Sequence, residues 1–186
     1  NVKSINSLVF AHSTFNSVFI NVEEAGSFAF AYSTIQSLTF GNNVKKIGAN
    51  FAENASVANI TFGNGLQSIG GSAFYGNKTL KSAVIPDTVT DVSRCAFGNC
   101  PELNYIELPC VNYNISPYAF LSLIGTNSTL QIDNGLEINV RGGTYLYGFN
   151  NTHVQRVTIG DSVTAITAQA FYNCVYLKEI ELSNNV

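Results

Sequence analysis

From Ile69 to Pro109 the chain reads IGGSAFYGNKTLKSAVIPDTVTDVSRCAFGNCPELNYIELP. Two copies of one pattern lie in this stretch. Ala73-Phe74 returns as Ala96-Phe97, Asn77 as Cys100, Leu80 as Leu103, and Ala83-Val84-Ile85-Pro86 as Ile106-Glu107-Leu108-Pro109, each 23 residues on. Phe51 and Phe120 extend the same interval in both directions. A fixed period of this length marks a solenoid, in which each repeat forms one coil and buries its apolar side against its neighbours.

Eight short strands can be set in register across the chain. They are Val18-Phe19-Ile20, Leu38-Thr39-Phe40, Ile60-Thr61-Phe62, Ala83-Val84-Ile85, Ile106-Glu107-Leu108, Leu130-Gln131-Ile132, Val157-Thr158-Ile159 and Ile180-Glu181-Leu182. Apolar outer residues around a mostly polar centre give the period-2 alternation of a strand with one wet face. Consecutive strands are spaced by 20, 22, 23, 23, 24, 27 and 23 residues. Turn residues follow them, as in Gly41-Asn42-Asn43, Gly63-Asn64-Gly65 and Pro86-Asp87-Thr88, because Gly, Asn and Asp accept the backbone angles of a tight corner. A second apolar pair comes next (Val44 and Ile47, Leu66 and Ile69, Val89 and Val92), then a small residue and a Phe. At the N-terminal side Ala11 to Val18 matches Ala31 to Leu38. The expected architecture is a single solenoid of about eight coils over residues 1–186, mainly β, with both ends falling mid-repeat.

Composition agrees with stacked β-coils. The chain is 46% hydrophobic and only 11% charged, against about 25% charged in ordinary domains. Neutral Asn, Ser and Thr line turns without repulsion between like charges on neighbouring coils. The net charge of −3 argues against a nucleic-acid partner, which calls for a basic face. No stretch approaches the roughly 20 apolar residues that cross a bilayer as a helix, so no membrane insertion is expected of this segment. The chain lacks Met, so it reads as a piece of a larger protein or as a processed segment.

Written as Phe-x-x-(Asn/Cys)-x-x-Leu-x-x-Ile-x-Ile-(Pro/Gly)-x-x-Val-x-x-Ile-x-x-x-Ala-Phe, the coil resembles the BspA-type (Treponema-type) leucine-rich repeat. The likeness runs through essentially the whole chain. It is strong from Val44 to Leu108 and from Val157 to Leu182, and weaker from Asn112 to Asn151. It implies a leucine-rich-repeat horseshoe with one parallel sheet on the concave face and short turns or 3-10 segments in place of regular helices. It further implies an extracellular or cell-surface location and adhesion to host proteins or other cells. The family has no shared catalytic site, so the resemblance assigns no functional residues.

The outward sheet residues are the first candidate site. At mid-strand these are Phe19, Thr39, Thr61, Val84, Glu107, Gln131, Thr158 and Glu181, flanked by Ser37, Asn59, Ser82, Tyr105, Arg156 and Glu179. Tyr105, Glu107, Arg156, Thr158, Glu179 and Glu181 are the residues expected to meet a ligand, because this half carries the Tyr and Arg that anchor interfaces. A solvated strand face with no ligand explains the same residues. A contact loop carrying Arg141, Tyr145 and Tyr147 is the second candidate; a degenerate repeat with Phe149 in the core is the rival account.

Chemistry-bearing residues are sparse. Cys100 and Cys174 follow the repeat Phe by three residues, where Asn54 and Asn77 stand in other coils, and are expected as buried free thiols. Cys95 and Cys110 lack such equivalents, and whether they pair stays open. Only His12 and His153 are present, and His12 takes the coil position of Tyr32. No catalytic residue, metal site or cofactor is expected. Sequons begin at Asn54, Asn59, Asn77, Asn114, Asn127 and Asn150. The expected function is non-catalytic binding of an extracellular protein or glycan. The rival is a structural spacer without a ligand. Unpaired terminal strands open a route to end-to-end self-association.

Overall fold

The computed structural model describes residues 2–108, 114–115, 136–143, 154–163, 165, 166, 168 and 170–184. Among them every strand pair is parallel and no helix occurs. Each coil contributes strands to two faces. One face is a sheet of two-residue strands: β1 (Ser4–Ile5), β3 (Glu24–Ala25), β5 (Lys46–Ile47), β7 (Ser68–Ile69), β9 (Asp91–Val92) and β11 (Asn114–Ile115). The other holds the longer strands: β2 (Thr14–Ile20), β4 (Thr34–Phe40), β6 (Ser56–Thr61), β8 (Ser82–Val84), β10 (Tyr105–Leu108), β12 (Leu136–Gly143), β13 (Val154–Val163) and β14 (Glu179–Glu181). The solenoid of the sequence reading is therefore present, with turns where helices would otherwise stand.

Register follows the expected triplets. Val18, Leu38 and Ile60 pair in one row, and Ala83, Ile106, Ile138, Val157 and Ile180 in another. One triplet is corrected. Leu130-Gln131-Ile132 lies outside the described residues, and the slot between β10 and β13 belongs to β12, where Ile138 opposes both Ile106 and Val157. Ile138-Asn139-Val140 has the same apolar-polar-apolar alternation as the expected triplet, so alternation alone could not choose between them. The long interval thus precedes this strand instead of following it.

The row of longer strands is also not one sheet. It divides into β2-β4-β6 and β8-β10-β12-β13-β14, while the two-residue strands run unbroken past the same point. Pro86 stands at the corner that follows β8, on the C-terminal side of the break. In the second coil Gly41 donates its N–H to the Ile20 carbonyl at 2.7 Å. Pro86 stands at the equivalent corner and has no N–H to give Phe62.

The core is an aromatic spine along the solenoid axis. Ring centroids are separated by 5.0 Å for Phe10–Phe30, 5.3 Å for Phe30–Phe51, 6.2 Å for Phe51–Phe74 and 5.3 Å for Phe74–Phe97. Phe40 and Phe62 stack beside it at 5.7 Å. Each buried ring removes enough apolar surface from water to contribute about 1.5–3 kcal/mol.

Backbone bonds between turns show that the 23-residue spacing misplaces Phe51. Phe30 N–H donates to the Phe51 carbonyl, Ala52 N–H to Ala73 and Phe74 N–H to Ala96, so Ala52 shares the register of Phe30 and Phe74. Phe51 takes the place of Ala29 and Ala73: coil three reads Phe-Ala where its neighbours read Ala-Phe. Both residues are fully buried, and the Phe51 ring reaches the spine from the neighbouring position. The inversion is tolerated because adjacent positions of this tight turn both face the interior.

The same shift corrects Asn54. It lies at the register of His12, Tyr32, Gly76 and Asn99, all with positive φ, and not in the slot of Asn77 and Cys100. Ala55 fills that slot, as Ser33 does one coil earlier. A second positive-φ row, Leu8, Phe28, Asn50, Ser72 and Cys95, opens each turn four residues before the first. His12 and Tyr32 stack in parallel at 4.9 Å, as expected of equivalent coil positions.

Asn77 closes its turn from within. Its Oδ1 accepts from the N–H of Leu80 at 3.0 Å, Thr79 at 3.1 Å and Val57 at 3.3 Å, the last in the preceding coil. Its side chain is fully buried, which locks that sequon's amide inside the protein. Cys100 uses the slot differently: its thiol donates to the Phe74 carbonyl at 3.2 Å. Cys95, Cys100 and Cys174 are free and buried; Cys110 lies outside the described residues.

Candidate functional site

The longer strands carry outward residues in two cross-strand rows. Ser82, Tyr105, Arg156 and Glu179 occupy one, and Val84, Glu107, Thr158 and Glu181 the next row on the same face, with Glu137 and Asn139 paired in register with them on the β12 backbone. All six residues expected to meet a ligand through this sheet therefore stand together on β10, β13 and β14. Glu137 and Asn139 complete the rows at positions the sequence reading missed. The signal that could have found them is the alternation of Ile138 and Val140, which sets Glu137 and Asn139 at the same register positions as Tyr105 and Glu107.

Polar contacts hold part of this face in place. Tyr105 Oη donates to Glu107 Oε2 at 2.8 Å along one strand. Arg156 Nη2 lies 2.8 Å from Glu179 Oε2 across two strands, with both side chains more than half exposed. Lys178 Nζ donates to Gln155 Oε1 at 3.2 Å beside them. The N-terminal strands differ: their matching rows are Ser17, Ser37, Asn59 and Phe19, Thr39, Thr61. Apart from the exposed Phe19, neutral hydroxyls and amides replace the charges there.

Of the expected contact loop, Arg141 lies within β12, where the pairing with β13 is irregular between Val140 and Gly142. It is therefore strand and not loop. Tyr145, Tyr147 and Phe149 lie outside the described residues.

Among the described residues, the resolved titration shifts fall on Cys100 and Tyr75, away from this face. Burial pushes the Cys100 thiol up to about 12, the opposite of what a nucleophilic cysteine needs. Tyr75 is raised, first by burial and then by the neighbouring Cys95. Among the described residues no group of three His, Cys, Asp or Glu could hold a metal ion.

A parallel β-solenoid with a charged outward strip defines a repeat protein of the leucine-rich class. The family model described as BspA type Leucine rich repeat region matches six copies across residues 3–126 and 144–186, and the chain belongs to that family. No curated protein matches it. The crystal structure of the pneumococcal vaccine antigen PcpA is similar over 90% of this chain and 42% of its own, at 17% identity with a TM-score of 0.61. This likeness concerns the fold, and the chain spans less than half of PcpA's length. A leucine-rich cell surface protein of Faecalibacterium prausnitzii is 21% identical over 99% of this chain and 65% of its own, with a TM-score of 0.29.

Proposed function

We propose that this chain is part of a surface-displayed, non-catalytic binding protein. It engages an extracellular protein or glycan through the outward strip of Tyr105, Glu107, Arg156, Thr158, Glu179 and Glu181. The observation that carries the reading is the register of β8, β10, β12, β13 and β14, which gathers a Tyr, an Arg and several carboxylates into two adjoining rows. A sheet already ordered in the free protein loses little conformational freedom on binding. Tyr and Arg are residue types whose truncation most often weakens interfaces. Family membership and the fold shared with a vaccine antigen support display outside the cell.

The test is binding of the purified chain to immobilised extracellular-matrix proteins and to a glycan array, beside Tyr105→Ala and Arg156→Ala. Saturable binding weakened by both substitutions is expected. Binding indifferent to both moves the site off this strip. No binding by a folded, monodisperse protein favours the spacer, a reading that the neutral Ser, Thr and Asn rows of β2, β4 and β6 already favour for the N-terminal half.

A further inference from the structure

The seam between β6 and β8 opens into a groove of about 530 Å³, lined by Ile60, Thr61, Phe62, Asn64, Val84, Pro86, Asp87 and Thr88. We propose that this groove is a binding site for a neutral saccharide of one or two pyranose rings. It is independent of the charged strip, although Val84 lies directly opposite Glu107 on the next strand.

Three observations carry the assignment. The groove sits where the strand ladder is interrupted, so β6 and β8 diverge from the pairing that closes such spaces elsewhere along the solenoid. Its volume falls within the roughly 300–1,000 Å³ of small-molecule sites. Its chemistry is amphipathic, and no cation stands among the described lining residues. Phe62 and Pro86 form a buried apolar floor, and Val84, half exposed, offers an apolar wall. Around them stand the exposed side chains of Thr61, Asn64 and Thr88, none engaged by a hydrogen bond among the described residues, together with the Asp87 carboxylate.

A pyranose presents the matching surface. Its C–H face packs on apolar side chains while its hydroxyls need both donors and acceptors at the rim. Thr hydroxyls and the Asn amide supply both, and a carboxylate accepts only. No Lys or Arg stands among the described lining residues, so an anionic sugar or a phosphate would meet the Asp87 carboxylate with no cation among them to receive it.

Saturation-transfer NMR and calorimetric titration test the site. The probes are methyl glucoside, methyl galactoside, methyl mannoside, lactose, maltose and cellobiose, with sialyllactose as the anionic contrast. At least one neutral sugar is expected to saturate. Its affinity is expected to fall about tenfold or more in Val84→Trp, which fills the groove, and to fall several-fold in Asn64→Ala, which removes one rim hydrogen bond. Arg156→Ala is expected to leave it unchanged, which separates this site from the strip. Should Val84→Trp not fold, the double variant Thr61→Ala/Asn64→Ala decides in its place. Failure of every neutral sugar to saturate, preference for sialyllactose, or full affinity in folded Val84→Trp would overturn the proposal.

Discussion

Replacing Asn77 by Ala tests how the inner turn is held. The Asn77 Oδ1 satisfies three backbone amides, of which the bonds to Val57 and Leu80 are buried and that to Thr79 only partly so. The Thr79 amide can turn to water; the other two cannot. Leaving two buried donors unmade costs about 1–3 kcal/mol each. Against this, Asn77 Nδ2 is itself buried without a partner, and deleting it offsets about 1 kcal/mol. The net expectation is a loss of about 1–5 kcal/mol. Asn77→Cys is expected to lose less, since the next coil accepts Cys100 in the same slot. Urea unfolding with an unchanged m-value measures the loss. Hydrogen exchange at the Val57 and Leu80 amides locates it, because stability is lost where those bonds were. A loss below about 1 kcal/mol, with exchange at both amides unaltered, would refute the claim that this side chain is a backbone acceptor rather than filler.

Four further outcomes follow from the packing. Phe51→Ala should cost about 3–5 kcal/mol by urea unfolding, and adding Ala52→Phe should recover at least half of it, because the second substitution restores the Ala-Phe order of the adjoining coils. Gly48→Ala should destabilise by about 1–3 kcal/mol, since a Cβ would lie 2.6 Å from the Ser27 amide nitrogen and 2.8 Å from the Gly26 carbonyl carbon, both backbone. Raising the pH should weaken the fold through Cys100. The folded state holds the thiol proton up to about 12, so stability is full below the ordinary value of 9.0 and falls between the two by up to about 1.4 kcal/mol per pH unit, a slope that Cys100→Ala should remove in alkaline titrations of unfolding. Arg156→Ala should shift stability by no more than about 1 kcal/mol, because its ion pair with Glu179 is solvent-exposed, so any larger loss of partner binding in that variant is an interface effect.

What the sequence disclosed was whatever leaves a periodic trace. Strand alternation placed most of the longer strands, and the outward residues of β10, β13 and β14 could be named because their inward partners Ile106, Val157 and Ile180 are unmistakably apolar. Position within a turn left a weaker trace. Phe51 and Ala52 are both interior, so counting from phenylalanine to phenylalanine slipped by one residue, and Asn54 slipped with it. Alternation was silent on β12 because two stretches in the same interval alternate equally well. The groove was illegible for a different reason. It lies where the ladder between β6 and β8 is interrupted, and nothing in the repeat pattern marks that break.

Most bonds joining successive turns run from backbone N–H to backbone carbonyl, among them Phe10 to Ala29, Phe30 to Phe51, Ala52 to Ala73 and Phe74 to Ala96. Such contacts cannot tell one coil from another. A gene encoding this chain can therefore gain or lose a whole coil by unequal exchange while most joints stay as they are. Each event would slide the charged strip along the axis by one strand spacing, about 4.8 Å, relative to whatever lies N-terminal to it. Reach becomes a heritable variable, changed in fixed steps while the chemistry of the strip stays the same.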